Sequence, residues 1–189
     1  MKKAIEALEA FEPSCEQEEI DKKLFLEMTK VTPNALTREN ILAHFSVSAW
    51  IMNKERTKML CGYHKQYDSW MWLGGHTDGD DDFLAVIIKE IEEESGVTDV
   101  RLFHDGIFTL ESLPVGPHMK RGKFVNAHVH LNVTYAFEAD ETCETRVKED
   151  ENSGVGWLDY DELMRVSRFA WDAGVYKKII DKVKRLEGK

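Results

Sequence analysis

An α+β fold with a mixed, largely antiparallel sheet is the architecture this sequence predicts, and three observations predict it. Phe45 to Met52 and Phe124 to Phe137 alternate their side chains with period two, the mark of strands. Asp82 to Ser95 carries Leu84, Ile87, Ile88 and Ile91 at helical spacing, so one stripe of that helix should meet a core. The stretches before residue 43 and after residue 172 keep a helical period, which brackets the strands with helices.

From Met1 to Ala43 the chain reads as a helical N-terminal extension (residues 1–43) to one domain (residues 44–189). Ile20, Leu24, Met28 and Val31 form an apolar stripe, and Pro33 closes the run. Such an extension serves as a lid or packing appendage, and it is also a candidate homodimer contact. Phe45 to Met52, a turn at Asn53 to Thr57, and Lys58 to Tyr63 make a hairpin. Trp70 to Leu73 then runs into Gly74-Gly75, with both tryptophans expected to pack the sheet. Val100 to Leu110 is strand-like. Glu111 to Lys123 reads as a loop from its Pro and Gly content. Its Lys120, Arg121 and Lys123 suit a diphosphate as well as they suit a solvated loop. On the polar side of Phe124 to Phe137, His128 and His130 are metal ligands, phosphate contacts or a solvent-facing row. With no Cys nearby, a separate zinc site is not expected. Val155 to Leu158 is a short strand, Asp159 with Glu162 resembles a capping box, and Asp172 to Leu186 is a helix burying Val175, Ile179, Val183 and Leu186.

A chain of 189 residues with 42% hydrophobic content can bury one proper core. Its net charge of −10 argues against polymeric nucleic acid, while small anionic substrates stay open if a cation bridges the charges. Cys15, Cys61 and Cys143 are odd in number and lack metal-ligand spacing, which suits a reducing cytosol. No apolar run reaches membrane-spanning length, and MKKAIEALEAFEP lacks the apolar centre of a signal peptide. A cytoplasmic protein with no membrane contact is the expectation.

The chemistry concentrates in Gly74 to Val97, GGHTDGDDDFLAVIIKEIEEESGV. Asp80, Asp81 and Asp82 fall where N-cap and first-turn carboxylates are favoured, and Gly96 stops the helix. Glu90, Glu93 and Glu94 stand at i, i+3 and i+4, so they share a face on which each like-charged pair costs about 0.2–0.5 kcal/mol. They also occupy the last turns, where the helix dipole disfavours anions. A solvated acidic face would show the same letters, but stability alone would place Lys or Arg there. Three carboxylates so gathered suit a cation, and oxygen-only ligands select Mg²⁺ or Mn²⁺.

Gly75, five residues, Asp81, seven residues, then Lys89-Glu90-Ile91-Glu92-Glu93-Glu94-Ser95-Gly96-Val97 resembles the signature of the Nudix hydrolases. Nine constrained positions over 23 residues fall in register, seven with the family residue type. Asp81 for Glu and Lys89 for Arg keep only the charge; the family pairs these two positions, and an Asp–Lys pair lacks the bidentate fork of arginine. The resemblance implies a Nudix-like α/β/α sandwich with the box helix on one side of the sheet and the C-terminal helix on the other. It implies an enzyme, a metal-dependent hydrolase that cleaves a phosphoanhydride (pyrophosphate) bond in a small nucleoside-diphosphate-linked substrate. Gly75 through its carbonyl, Glu90, Glu93 and Glu94 would hold the ion. Glu151, the loop carboxylate six residues before Trp157, would join them. Glu93 or Glu90 would take the proton of the attacking water, and Arg121, His128 and His130 would bind the substrate. The alternative is a non-catalytic Nudix-fold module that senses a nucleotide, although such modules usually lose box carboxylates and all three are present here.

Overall fold

Two helices, α1 (Lys2–Ala10) and α2 (Glu16–Val31), precede the first strands, β1 (Ala43–Met52) and β2 (Lys58–His64). These strands form the expected hairpin, with Met52 opposite Met59. Asn53 closes its turn by accepting the Thr57 and Lys58 N–H groups at 2.9 and 3.0 Å. Short strands β3 (Ser69–Met71) and β4 (Leu73–His76) lead into α3 (Phe83–Ser95). There follow β5 (Val100–Leu102), β6 (Thr109–Val115), the pair β7 (His118–Lys120) and β8 (Lys123–Val125), the long β9 (His128–Ala139), β10 (Asn152–Asp159), α4 (Tyr160–Val166) and α5 (Ala170–Leu186). This computed structural model describes residues 1–120, 122–148, 152–167 and 170–188, without the side chains of 170–173. The α+β class is the one the sequence predicts.

The chain gathers into two units. The first comprises Met1–Ser48, Gly75–Ile87 and Asp105–Tyr135. In it β6 pairs antiparallel with β9, from Thr109 opposite Thr134 to Val115 opposite His128, and β7 pairs with β8. Its apolar centre is Phe45, whose ring meets Phe25 edge-on at 5.7 Å and Phe83 at 5.3 Å. The second unit comprises Ala49–Gly74, Ile88–His104 and Ala136–Lys189. Its strands run β10-β2-β1-β9-β5, with β3 also on β2. Trp50, fully buried, lies 5.8 Å from the Tyr160 ring and 5.5 Å from Tyr176. Trp70 and Trp72 pack edge-on against Tyr63 and Tyr176, so both belong to the sheet packing, as expected.

Several local expectations change. The stripe of α2 does not face the core: Ile20 is 58% and Val31 62% exposed, while Glu18, Asp21, Phe25 and Thr29 are buried. The reason lies in β6, which pairs only with β9 among the described strands and so has an edge to satisfy. Asp21 accepts from Ser112 N–H at 3.0 Å and Ser112 Oγ at 2.7 Å, and Gln17 Nε2 donates to the Leu110 carbonyl at 2.8 Å. A hydrogen bond to a charged group contributes about 1.5–3 kcal/mol, as much as burying one aliphatic side chain. Phe25 supplies apolar burial on the same face.

Glu111 to Lys123 is not one loop either, since β6 extends through Pro114 and a second hairpin follows. An edge strand tolerates proline because no ladder hydrogen bond is lost. The polar side of β9 is dry from Asn132 onward, while His128 and His130 before it are half-buried. Asn132 Oδ1 accepts from Ser46 and Ser48 at 3.0 and 2.9 Å, and Glu111 accepts from Asn132 Nδ2 at 3.3 Å and from Thr134 at 3.0 Å, all of them buried. Asp159 stands at the N-cap of α4 without a side-chain cap bond. Helix α5 buries Tyr176, Ile179, Ile180 and Val183 but exposes Leu186, and α3 buries Phe83, Val86, Ile87 and Ile91 while Ile88 is exposed.

The docking face of α2 is open to test by urea unfolding. Asp21→Ala strands the Ser112 donors and should cost about 1–3 kcal/mol, whereas Ile20→Gln should stay within about 0.5 kcal/mol. The reverse order would show that the aliphatic stripe carries the contact.

Candidate active site

The acidic run before α3 is a cap, as its position suggests. Asp82 Oδ1 accepts the Ala85 N–H at 3.1 Å, and Asp80 Oδ1 accepts the Asp82 N–H at 2.9 Å. Asp81 and Lys89 each have a partner other than the one the resemblance pairs them with. Asp81 accepts from the Met1 ammonium at 2.5 Å and the Lys3 N–H at 3.2 Å, and Lys89 Nζ lies 3.4 Å from Glu93. At its far end α3 stops where Gly96 turns to φ +76. The Gly96 N–H donates to the Glu92 carbonyl at 2.9 Å, and the Arg146 N–H donates to the Ser95 carbonyl at 2.8 Å.

Glu94 is only 4% exposed, and its Oε2 accepts the Gly74 N–H at 2.9 Å. That bond ties the glycine turn at the start of the box to the last turn of the helix. Glu90 and Glu93 are half-buried, whereas Glu92 is exposed, as i, i+3, i+4 spacing requires. Glu93 lies 3.4 Å from Lys148 as well as from Lys89. Burial pushes its carboxyl up, but the two ammonium groups outweigh this and hold it below the usual glutamate range, so it is ionised at neutral pH. The donor set is all oxygen, carried on one helix face, with one carboxylate buried; it fits a hard divalent cation. Gly75 follows Gly74 in β4 and is half-buried. Arg121 and Glu151 lie outside the described residues.

A second cluster, all within the first unit, is built from imidazoles. His130 of β9 has its Nε2 3.2 Å from His76 Nε2 of β4 and 3.2 Å from His128 Nε2. His44 of β1 stacks on His128 with ring centroids 4.9 Å apart. Ligand nitrogens of His44, His76 and His130 all lie within 4.8 Å of one another. Among the described residues this is the one group of three metal-ligating side chains drawn so close; the box carboxylates share a face but do not converge to that degree. Burial, then the neighbouring imidazoles, push His76 down to about 2 and His130 to about 3, and burial also lowers His44. All three are neutral at neutral pH. Sequence reasoning places His128 and His130 side by side but passes over His44 and His76. The legible signal was a histidine directly after Gly74-Gly75; nothing in the stretch around His44 marks it.

A family model described as the NUDIX domain matches residues 42–180. Among solved structures, a C. elegans Ap4A hydrolase in a binary complex is 15% identical, covering 76% of this chain and 99% of that one, with a TM-score of 0.55. A NUDIX-family hydrolase from Clostridium perfringens is 20% identical over 74% of this chain and 97% of that one, TM-score 0.53. The E. coli dihydroneopterin triphosphate pyrophosphohydrolase is 11% identical over 72% and 94%, TM-score 0.54. At these identities the likeness is one of fold. No curated protein sequence matches the chain.

The helix stop that frames the carboxylates yields a prediction. A Cβ on Gly96 would meet Arg146 Cγ at 2.7 Å with φ at +76, so Gly96→Ala should lower stability by about 1–3 kcal/mol. Chemical denaturation measures this, and an unchanged midpoint would show that the turn relaxes freely.

Proposed function

The chain belongs to the Nudix family, whose domain spans residues 42–180, and on that premise we propose that this Nudix-type hydrolase is a metal-dependent pyrophosphohydrolase. It cleaves a phosphoanhydride bond of a small nucleoside-diphosphate-linked substrate. The observation that carries the reading is Glu94, a buried carboxylate spending one oxygen on the Gly74 N–H beside Glu90 and Glu93 on the same helix. The names of two structural neighbours, an Ap4A hydrolase and a dihydroneopterin triphosphate pyrophosphohydrolase, support a substrate of polyphosphate type.

Glu90, Glu93 and Glu94, with the Gly75 carbonyl and Glu151, would hold Mg²⁺ or Mn²⁺. When bound, such an ion neutralises the diphosphate and lowers the pKa of the attacking water. Glu93, kept ionised between Lys89 and Lys148, is the proton acceptor, with Glu90 as the other candidate. Glu94 fixes the glycine turn against the helix end. Arg121, His128 and His130 read the part of the substrate beyond the diphosphate. Residues 44–189 form the hydrolase domain, and the helices before it are an extension with a candidate role in dimerisation. Among the described residues no helix is long and apolar enough to cross a membrane. A net charge of −10 supports a small substrate over a polymer, and three unpaired cysteines support a cytoplasmic setting.

A panel of nucleoside triphosphates, dinucleotides and nucleotide sugars, assayed for product release with and without Mg²⁺, tests the reading. Glu94→Gln should reduce kcat/KM about a hundredfold or more and weaken metal binding. His128→Ala and Arg121→Ala should raise KM while leaving metal binding intact. Full turnover by Glu94→Gln would sink the mechanism. Tight nucleotide binding without turnover in either Mg²⁺ or Mn²⁺ would identify a sensing module instead.

A further inference from the structure

We propose that His44, His76 and His130 form a second metal site, which takes a borderline transition-metal ion, Zn²⁺ foremost, and leaves one coordination position open. The site stands on the imidazoles alone and does not rest on the hydrolase reading; with the ion bound, His130 would meet a substrate through the metal rather than directly.

The tautomers point to it first. His44 Nδ1 lies 2.9 Å from the Asn40 carbonyl, and His128 Nδ1 lies 2.8 Å from the Asn126 carbonyl. A carbonyl only accepts, so in each neutral ring the proton sits on Nδ1 and Nε2 is a bare lone pair. Histidines that bind metals show this pattern, with the distal ring N–H anchored on a backbone carbonyl and the other nitrogen presented to the ion. His44 is 4% exposed, and its buried Nε2 has no hydrogen-bond partner among the described residues. An orphaned buried acceptor of this kind costs about 1–3 kcal/mol unless something fills its need.

Protons do not meet the need of the cluster. One N–H on His130 can serve one of its two neighbours at 3.2 Å well, and it leaves His44 Nε2 with nothing. A single cation satisfies His44, His76 and His130 together. Tetrahedral zinc binds imidazole at about 2.0–2.1 Å, which sets ligand nitrogens about 3.3–3.4 Å apart. His76 and His130 are already at 3.2 Å, and His44 is inside 4.8 Å. Three strands supply the ligands, from the start of β1, the end of β4 and the start of β9, so the scaffold is rigid.

The donor set also decides the metal. All-nitrogen ligation suits Zn²⁺, Co²⁺ or Ni²⁺ and excludes Mg²⁺, which demands oxygen. Cysteine is not required, because three histidines with one open position are a sufficient zinc set, so the absence of nearby thiols does not count against the site. Three neutral imidazoles leave the ion its full charge. The nearby Arg38 is held by Asp78 at 2.8 and 2.6 Å, while the Lys120 charge is felt at both His76 and His130. The open position therefore favours an anionic oxygen, either water-derived or from a phosphate. His128 Nε2, bare and 3.2 Å from His130 Nε2, is the acceptor next to it.

The test uses the metal-free full chain in excess Mg²⁺, which competes with the added metal for carboxylate oxygens but not for imidazoles. Co²⁺ is titrated in, its visible ligand-field bands are followed, and Zn²⁺ is added to displace it. The expected result is one Co²⁺ per chain with tetrahedral-type bands that Zn²⁺ abolishes. His76→Gln and His130→Gln should each weaken the binding about a hundredfold or more, and Glu94→Gln should leave it unchanged even as hydrolysis falls. Circular dichroism checks that each variant folds; if one fails, the other variant and the wild-type stoichiometry decide. No Co²⁺ bound by the wild-type chain, or unchanged affinity in a folded histidine variant, would overturn the site.

Discussion

A carboxylate that is almost fully withdrawn from water must be hydrogen-bonded, paired or protonated, and Glu94 meets that constraint through the Gly74 N–H. Much of the geometry around α3 depends on this contact. It fastens the end of a helix to the turn that leads into it, across twenty residues of chain, so that turn and acidic face form one structure. The bond engages one carboxylate oxygen, Oε2, and fixes where the carboxylate stands on the helix face.

The acidic helix end is unfavourable by itself, since like charges at i, i+3 and i+4 repel and the dipole adds to the repulsion. Two features offset it in the absence of an ion. Lys89 and Lys148 flank Glu93 at 3.4 Å each, and Gly96 with Arg146 closes the helix by hydrogen bonds to the Glu92 and Ser95 carbonyls. These cations are half-buried or exposed, and exposed ion pairs are worth about 0–1 kcal/mol, so they moderate the repulsion without abolishing it. A divalent cation bound there would remove the rest, and its binding would then stabilise the last turns of α3 as well.

What was legible in the sequence, and what was not, divides along local and non-local physics. The box helix, its Asp82 cap and its Gly96 stop follow from spacing and capping chemistry within a few residues, and they are found where the pattern puts them. The hairpin of β1 and β2 is equally local. The face of α2 was not legible, because Asp21 and Gln17 are recruited by the edge of β6, about ninety residues further along the chain; periodicity cannot see an unsatisfied edge. Pro114 and Gly116 suggested a loop where an edge strand tolerates them. The polar side of β9 looked solvated until Ser46, Ser48 and Glu111 were found opposite Asn132. His44 and His76 belong to the same category: each is unremarkable in its own stretch, and only the packing of β1, β4 and β9 brings their nitrogens to His130.

The central claim is that the carboxylates of α3 are built to hold a hard divalent cation. Anomalous diffraction from crystals of the full chain soaked in Mn²⁺ tests it most directly. The account predicts an anomalous peak at inner-sphere distance, about 2.1 Å, from carboxylate oxygens of Glu90, Glu93 or Glu94. Saturating Mn²⁺ with no peak at any of the three, in crystals where Mn²⁺ is bound elsewhere, would contradict it.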